Sequence, residues 1–94
     1  MVTPKDFCDA TSEWNCNEFG NETGWVCEPD DVVQTRDTLE DFKAARSGTA
    51  EEYETPIGIL YVWENQQSRK GARRGDVFLV DAGEFRLSYF CGQV

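Results

Sequence analysis

The chain has 94 residues, with 18 Asp plus Glu against 9 Lys plus Arg, no histidine, a formal net charge of −9 and a pI near 4.3. That length fits one domain with a thin core, and 39% hydrophobic with 13% aromatic residues is too rich for a disordered chain. No apolar run approaches the ~18 residues of a membrane span, and without histidine neither Ser-His nor Cys-His nucleophile pairs can form.

The charge is uneven. Residues 1–64 hold 15 acids and 4 bases, a net of −11, whereas residues 65–94 hold 3 acids and 5 bases, a net of +2. The acidic part repels phosphate, so nucleic acid is not expected on that face, and it attracts a basic protein surface. The start, Met1-Val2-Thr3-Pro4-Lys5-Asp6, lacks the apolar stretch of a signal peptide, which points to the cytoplasm.

Thr3-Pro4-Lys5-Asp6 reads as a helix start, with Thr3 as N-cap, Pro4 as first helical residue and Asp6 as the reciprocal acid of a capping box. Phe7, Ala10 and Trp14 follow at the spacing of one helical face, which predicts a helix over about residues 4–14. Asn15 to Gly24 has loop composition. Trp25-Val26-Cys27, stopped by Pro29, is a candidate fourth short strand. Asp37 as cap and Glu40 three positions on predict a second helix over about 38–47, with Leu39, Phe42 and Ala45 facing inward and Gly48 after its last turn.

The C-terminal part reads as sheet. Ile57 to Trp63 and Asp76 to Asp81 are apolar on both faces, as in strands covered on each side. Glu84 to Cys91 alternates, with Phe85, Leu87, Tyr89 and Cys91 on one face and Glu84, Arg86 and Ser88 on the other. Asp81-Ala82-Gly83-Glu84 predicts a tight hairpin, with Gly83 at a positive-φ position. The expected fold is α+β in a single domain: a helical and loop acidic region over 1–50, and over 55–94 an antiparallel three-strand meander covered by the two N-terminal helices.

The cysteines are spaced Cys8-x7-Cys16-x10-Cys27-x63-Cys91. No C-x2–4-C knuckle exists to aim two thiolates at one zinc ion. Buried reduced thiols are the simplest expectation; disulfides in a secreted, effector-like module and a cysteine-liganded metal protein are the alternatives. A calcium loop starting at Asn15 fails on register, because Phe19 and Val26 fall where oxygen ligands are required. Asn21-Glu22-Thr23 is a glycosylation pattern only if the chain is secreted, and Arg74-Gly75-Asp76 is a coincidental tripeptide at a strand start.

Two acidic clusters, Asp30-Asp31 and Glu51-Glu52-x-Glu54, stand near loop signals and are the expected contact acids for a basic partner. The basic run holding Arg69, Lys70, Arg73 and Arg74 lies on the long connection between the first two C-terminal strands, where it could meet nucleic acid or an acidic patch on a partner. Trp63, closing the first of those strands, is a candidate interface anchor or core lid. No catalytic constellation and no cofactor motif is evident. The sequence therefore predicts a small acidic non-enzymatic binding or inhibitor protein that occludes a basic surface of a protein partner. Phage anti-defence inhibitors and immunity-type proteins, some of them DNA mimics, share this physical profile.

Overall fold

A computed structural model describes residues 2–11, 29–67, 74–83 and 85–92. Helix α1 spans Pro4–Ala10 and α2 spans Leu39–Ala44; the strands are β1 (Val33–Thr35), β2 (Glu51–Thr55), β3 (Gly58–Gln67), β4 (Arg74–Ala82) and β5 (Phe85–Gly92), with one 3-10 turn at Pro29–Asp31. The fold is α+β, as expected, but the sheet has five strands in the order β1-β5-β4-β3-β2, antiparallel at every pair. The expected meander is β3-β4-β5. It is widened by β2 on one side and closed by β1 on the other, so both edge strands come from the chain before the meander.

Strand alternation sorts the core into two layers. On one face Leu60, Val62, Phe78, Val80, Leu87 and Tyr89 pack with Phe7 and Cys8 of α1. On the other, Tyr61, Trp63, Val77 and Leu79 pack with Phe42 of α2, flanked by Leu39, Ala50 and Phe90. This accounts for the apolar character of β3 and β4 on both faces: each is covered twice. It also explains Phe90, which stands among the polar residues of β5 and packs toward α2. Each helix is too short to persist alone, so each is held by its buried phenylalanine, Phe7 fully buried and Phe42 nearly so.

The first helix starts as expected. The Thr3 hydroxyl accepts from the Asp6 amide and the Asp6 carboxylate accepts from the Thr3 amide, a reciprocal capping box. It ends at Ala10 rather than residue 14; Trp14 and the candidate strand at Trp25–Cys27 lie outside the described residues. The cap of α2 is Thr38, one residue later than expected: its hydroxyl accepts from the Asp41 amide at 3.1 Å. That helix stops at Ala44, three residues short of expectation, and Ala45 is exposed.

Two turns carry the meander. Thr55 pairs with Gly58 across Pro56-Ile57, and the Thr55 hydroxyl donates to the Gly58 carbonyl at 2.6 Å. Gly58 has φ 137°, and Gly83, in the expected hairpin between Ala82 and Phe85, has φ 75°. The long connection is shorter than the sequence suggested, because β3 runs on to Gln67 and β4 begins at Arg74. A bulge between Trp63 and Gln66, with Asn65 at φ 57°, gives β3 one residue more than its partner there. This extra residue turns Gln66 to the α2 face, since each residue of offset reverses the side-chain direction. There Gln66 is buried and clasps the chain after α2: its Oε1 accepts from the Ser47 amide at 3.0 Å, and its Nε2 donates to the Ser47 and Glu64 carbonyls at 2.9 Å each.

Candidate functional site

The acids of Glu51-Glu52-x-Glu54 form part of β2, an edge strand, not a loop. All three are exposed, and among the described residues no Lys or Arg stands within ion-pair distance of them. Strand alternation divides them. Glu52 and Glu54 pair with Tyr61 and Ile59 and so share the α2 face; Glu51 pairs with Val62 and shares the α1 face. On that second face the Tyr53 hydroxyl donates to the Glu51 carboxylate. This bond stabilises the protonated phenol and, with desolvation and the charges of Glu51 and Glu64, raises the Tyr53 pKa above that of ordinary tyrosine.

Beside β2 on the α2 face lies a groove of about 170 Å³, lined by Lys43 of α2, Thr49 and Ala50 of the connecting chain, Glu52 of β2, and Tyr61 and Trp63 of β3. Its floor is aromatic. Tyr61 and Trp63 stack with ring centroids 6.1 Å apart, and Trp63 meets Phe42 at 5.4 Å. The Lys43 ammonium lies 5.0 Å from the centre of the Tyr61 ring, a cation–π contact. Burial, and then the charges of Glu52 and Asp81, raise the Tyr61 pKa, so its hydroxyl stays protonated at neutral pH.

Asp30 and Asp31 are also exposed, but on the 3-10 turn just before β1, at the opposite edge of the sheet. Four strand spacings separate the two edges, roughly 19 Å, so the two clusters do not merge into one acidic patch. Trp63 is only 2% exposed and belongs to the core. Packing under Phe42 and against Tyr61 makes it a core lid rather than a protruding interface anchor, and its ring reaches the surface only as part of the groove floor. Arg69, Lys70 and Arg73 lie outside the described residues; the backbone of Arg74 opens β4 opposite Gln67. Cys8 is buried in the α1 layer, the Cys91 backbone pairs with Asp76, and Cys16 and Cys27 lie outside the described residues.

A second feature of the α2 face is the cross-strand pair of Asp81 and Arg86, whose Oδ1 and Nε stand 3.6 Å apart with each side chain 24% exposed. Beside it on this face, Ile59 and Val33 are 40% and 60% exposed. Lys43, Thr49, Ala50 and Tyr61 come from three separate elements, and no sequence spacing announces the groove they form. Among the described residues no cluster of three metal-ligating side chains occurs, and no helix is long and apolar enough to cross a membrane. Comparison with protein-family models, with curated proteins and with solved structures gave no match to this chain.

Proposed function

We propose that this chain is a small acidic, non-enzymatic binding domain that occludes a basic surface of a partner protein, the activity of an inhibitor or immunity-type protein. The observation that carries this reading is the edge strand β2, which presents Glu51, Glu52 and Glu54 to solvent with no described cation in ion-pair contact. With a net charge of −9, the whole molecule draws a basic partner in and repels phosphate. The short-range contacts then fix which surface is covered.

Magnitudes favour occlusion of a basic protein patch over imitation of a DNA duplex. Three charges over a five-residue strand amount to about one per 6 Å at ~3.4 Å per residue. Duplex DNA carries about one charge per 1.7 Å of axis. The β2 edge is therefore several times too sparse to stand in for a phosphate backbone, yet dense enough to face two or three Lys or Arg side chains.

The test is capture of the partner from the source organism on the immobilised domain, followed by titration of the complex with salt. Affinity should fall steadily as ionic strength rises, and a variant with Glu51, Glu52 and Glu54 all replaced by Gln should bind more weakly and lose part of the salt dependence. A complex indifferent both to salt and to this replacement would overturn the reading.

A further inference from the structure

An edge strand, a groove and a helix are brought together on one side of this molecule. β2 ends the strand order, and in an antiparallel ladder every second residue of an edge strand turns its N–H and C=O away from the sheet. No described strand pairs with β2 on its outer side, where the backbone groups of Glu52 and Glu54 point. The groove opens beside this edge, walled by Lys43 on α2 and floored by Tyr61 and Trp63. Strand edges flanked by a helix and a groove bind extended peptides: main-chain hydrogen bonds hold the peptide, and depressions along the edge select alternate side chains.

The edge carboxylates specify the occupant. Glu52 and Glu54, two residues apart, project to the same face as the groove. An added strand places its own alternate residues about 4.5–5.5 Å from them. Basic side chains at those positions meet opposite charges, whereas acidic ones are repelled. A second copy of this chain pairing through β2 would set glutamates against glutamates, so self-association at this edge is disfavoured.

Resting on the reading of the protein as an acidic binding domain, we propose that it engages its partner by strand addition: an extended partner segment with Lys or Arg at alternate residues pairs with the outer edge of β2, its basic side chains lying over Glu52 and Glu54 and clear of the Lys43 ammonium at the groove.

The probe is a short synthetic peptide alternating lysine and threonine, with two relatives N-methylated either at every lysine or at every threonine. Because alternate amides point to opposite edges of a strand, one methylated peptide loses its pairing edge and should bind about tenfold more weakly or worse, while the other keeps it. The unmethylated peptide should slow amide exchange at residues 51–55, and the E52Q/E54Q double variant should weaken it more than E51Q does. These exposed replacements leave the core untouched. Equal affinity of all three peptides, with strong salt dependence, would overturn strand addition while leaving electrostatic occlusion standing. Failure of every peptide to bind at low salt would also overturn strand addition and would mark the glutamates as guards against edge pairing. A partner complex indifferent to salt would instead overturn the broader reading.

Discussion

Replacing Gly58 by alanine should be among the most damaging single changes available to this fold, and the size of the effect follows from two separate terms. Gly58 adopts φ 137°, a backbone region nearly reserved for glycine, where a side chain costs about 1–3 kcal/mol. A Cβ at this position would also stand 2.5 Å from the Asp81 carbonyl oxygen and 3.2 Å from its carbon. These are backbone atoms and cannot swing aside, so relief requires β3 and β4 to part where Ile59 pairs with Asp81. Overpacking of this kind costs about 1–3 kcal/mol, giving a total of about 2–6 kcal/mol. Against the roughly 5–14 kcal/mol expected for a chain this size, that is a large fraction of the stability, and the thermal midpoint should fall by about 4–8 °C for each kcal/mol lost. The control is Gly83→Ala. Gly83 has φ 75°, but a methyl group there would meet nothing within 4 Å, so only the conformational term applies, about 1–2 kcal/mol. Urea unfolding followed by tryptophan fluorescence compares the two. If G58A and G83A fall within about 0.5 kcal/mol of each other, the clash with Asp81 does not govern the site and the tight approach of the Pro56-Ile57 turn to β4 is wrong.

Three further changes probe other parts of the structure. Phe42→Ala should cost about 3–5 kcal/mol, because Phe42 is the one fully inserted side chain of α2 and covers Trp63; a marked red shift of tryptophan emission should accompany it. Gln66→Ala should cost about 2–3 kcal/mol by leaving the Ser47 amide and carbonyl without their partner, and should speed amide exchange at Ser47 more than at Phe7. The pH dependence has two signed parts. The Asp6 carboxyl is held below its ordinary value by the Thr3 amide and hydroxyl, so its contribution is present above about pH 4 and is lost as pH falls through the folded value; Asp6→Asn should flatten the acid limb of a stability–pH curve. Tyr61 is shifted the other way, by burial first and then by Glu52 and Asp81, so its contribution is present below about pH 10 and is lost as pH rises through the higher folded value. Tyr61→Phe should remove a phenolate component that titrates above ordinary tyrosine.

The parts of this fold that can be read from the residues are those whose pattern reflects their own burial. β3 and β4 are apolar on both faces because a helix layer covers each face, and β5 alternates strictly up to Phe90 because only one of its faces is deeply covered. The Thr3-Pro4-Lys5-Asp6 start is legible because capping is a local matter of three residues. β2 was illegible for the opposite reason. Of Glu51-Glu52-Tyr53-Glu54-Thr55, only Tyr53 packs against a core cluster, so an edge strand carrying charge on both faces looks like a solvated loop. β1 has just three residues, below the length at which alternation can be recognised. The cap of α2 is Thr38 rather than Asp37; both are residue types that cap helices, so their order alone does not choose between them. The groove combines residues from α2, the chain after it, β2 and β3; only the tertiary fold makes them neighbours.

The placement of the acids also changes what the net charge means. A uniform acidic coat would mainly keep the molecule soluble. Here the sheet holds Asp30 and Asp31 at one edge and Glu51, Glu52 and Glu54 at the other, roughly 19 Å apart by strand spacing. That exceeds the ~8 Å screening length at physiological salt, so under the proposed function the two clusters would act on a basic partner independently. A single compact basic patch engages one edge and leaves the other in solvent. The β2 edge has the further advantage of backbone hydrogen-bonding groups in register with its charges. The turn before β1 offers only charge, and β1 offers an edge of three residues. Neutralising Asp30 and Asp31 together should therefore slow association modestly, as loss of distant charge does, and leave dissociation unchanged. Neutralising Glu52 and Glu54 should speed dissociation. Stopped-flow or surface-binding kinetics on the captured partner separates these effects, and a reversed assignment of the two rates would place the contact at β1 instead.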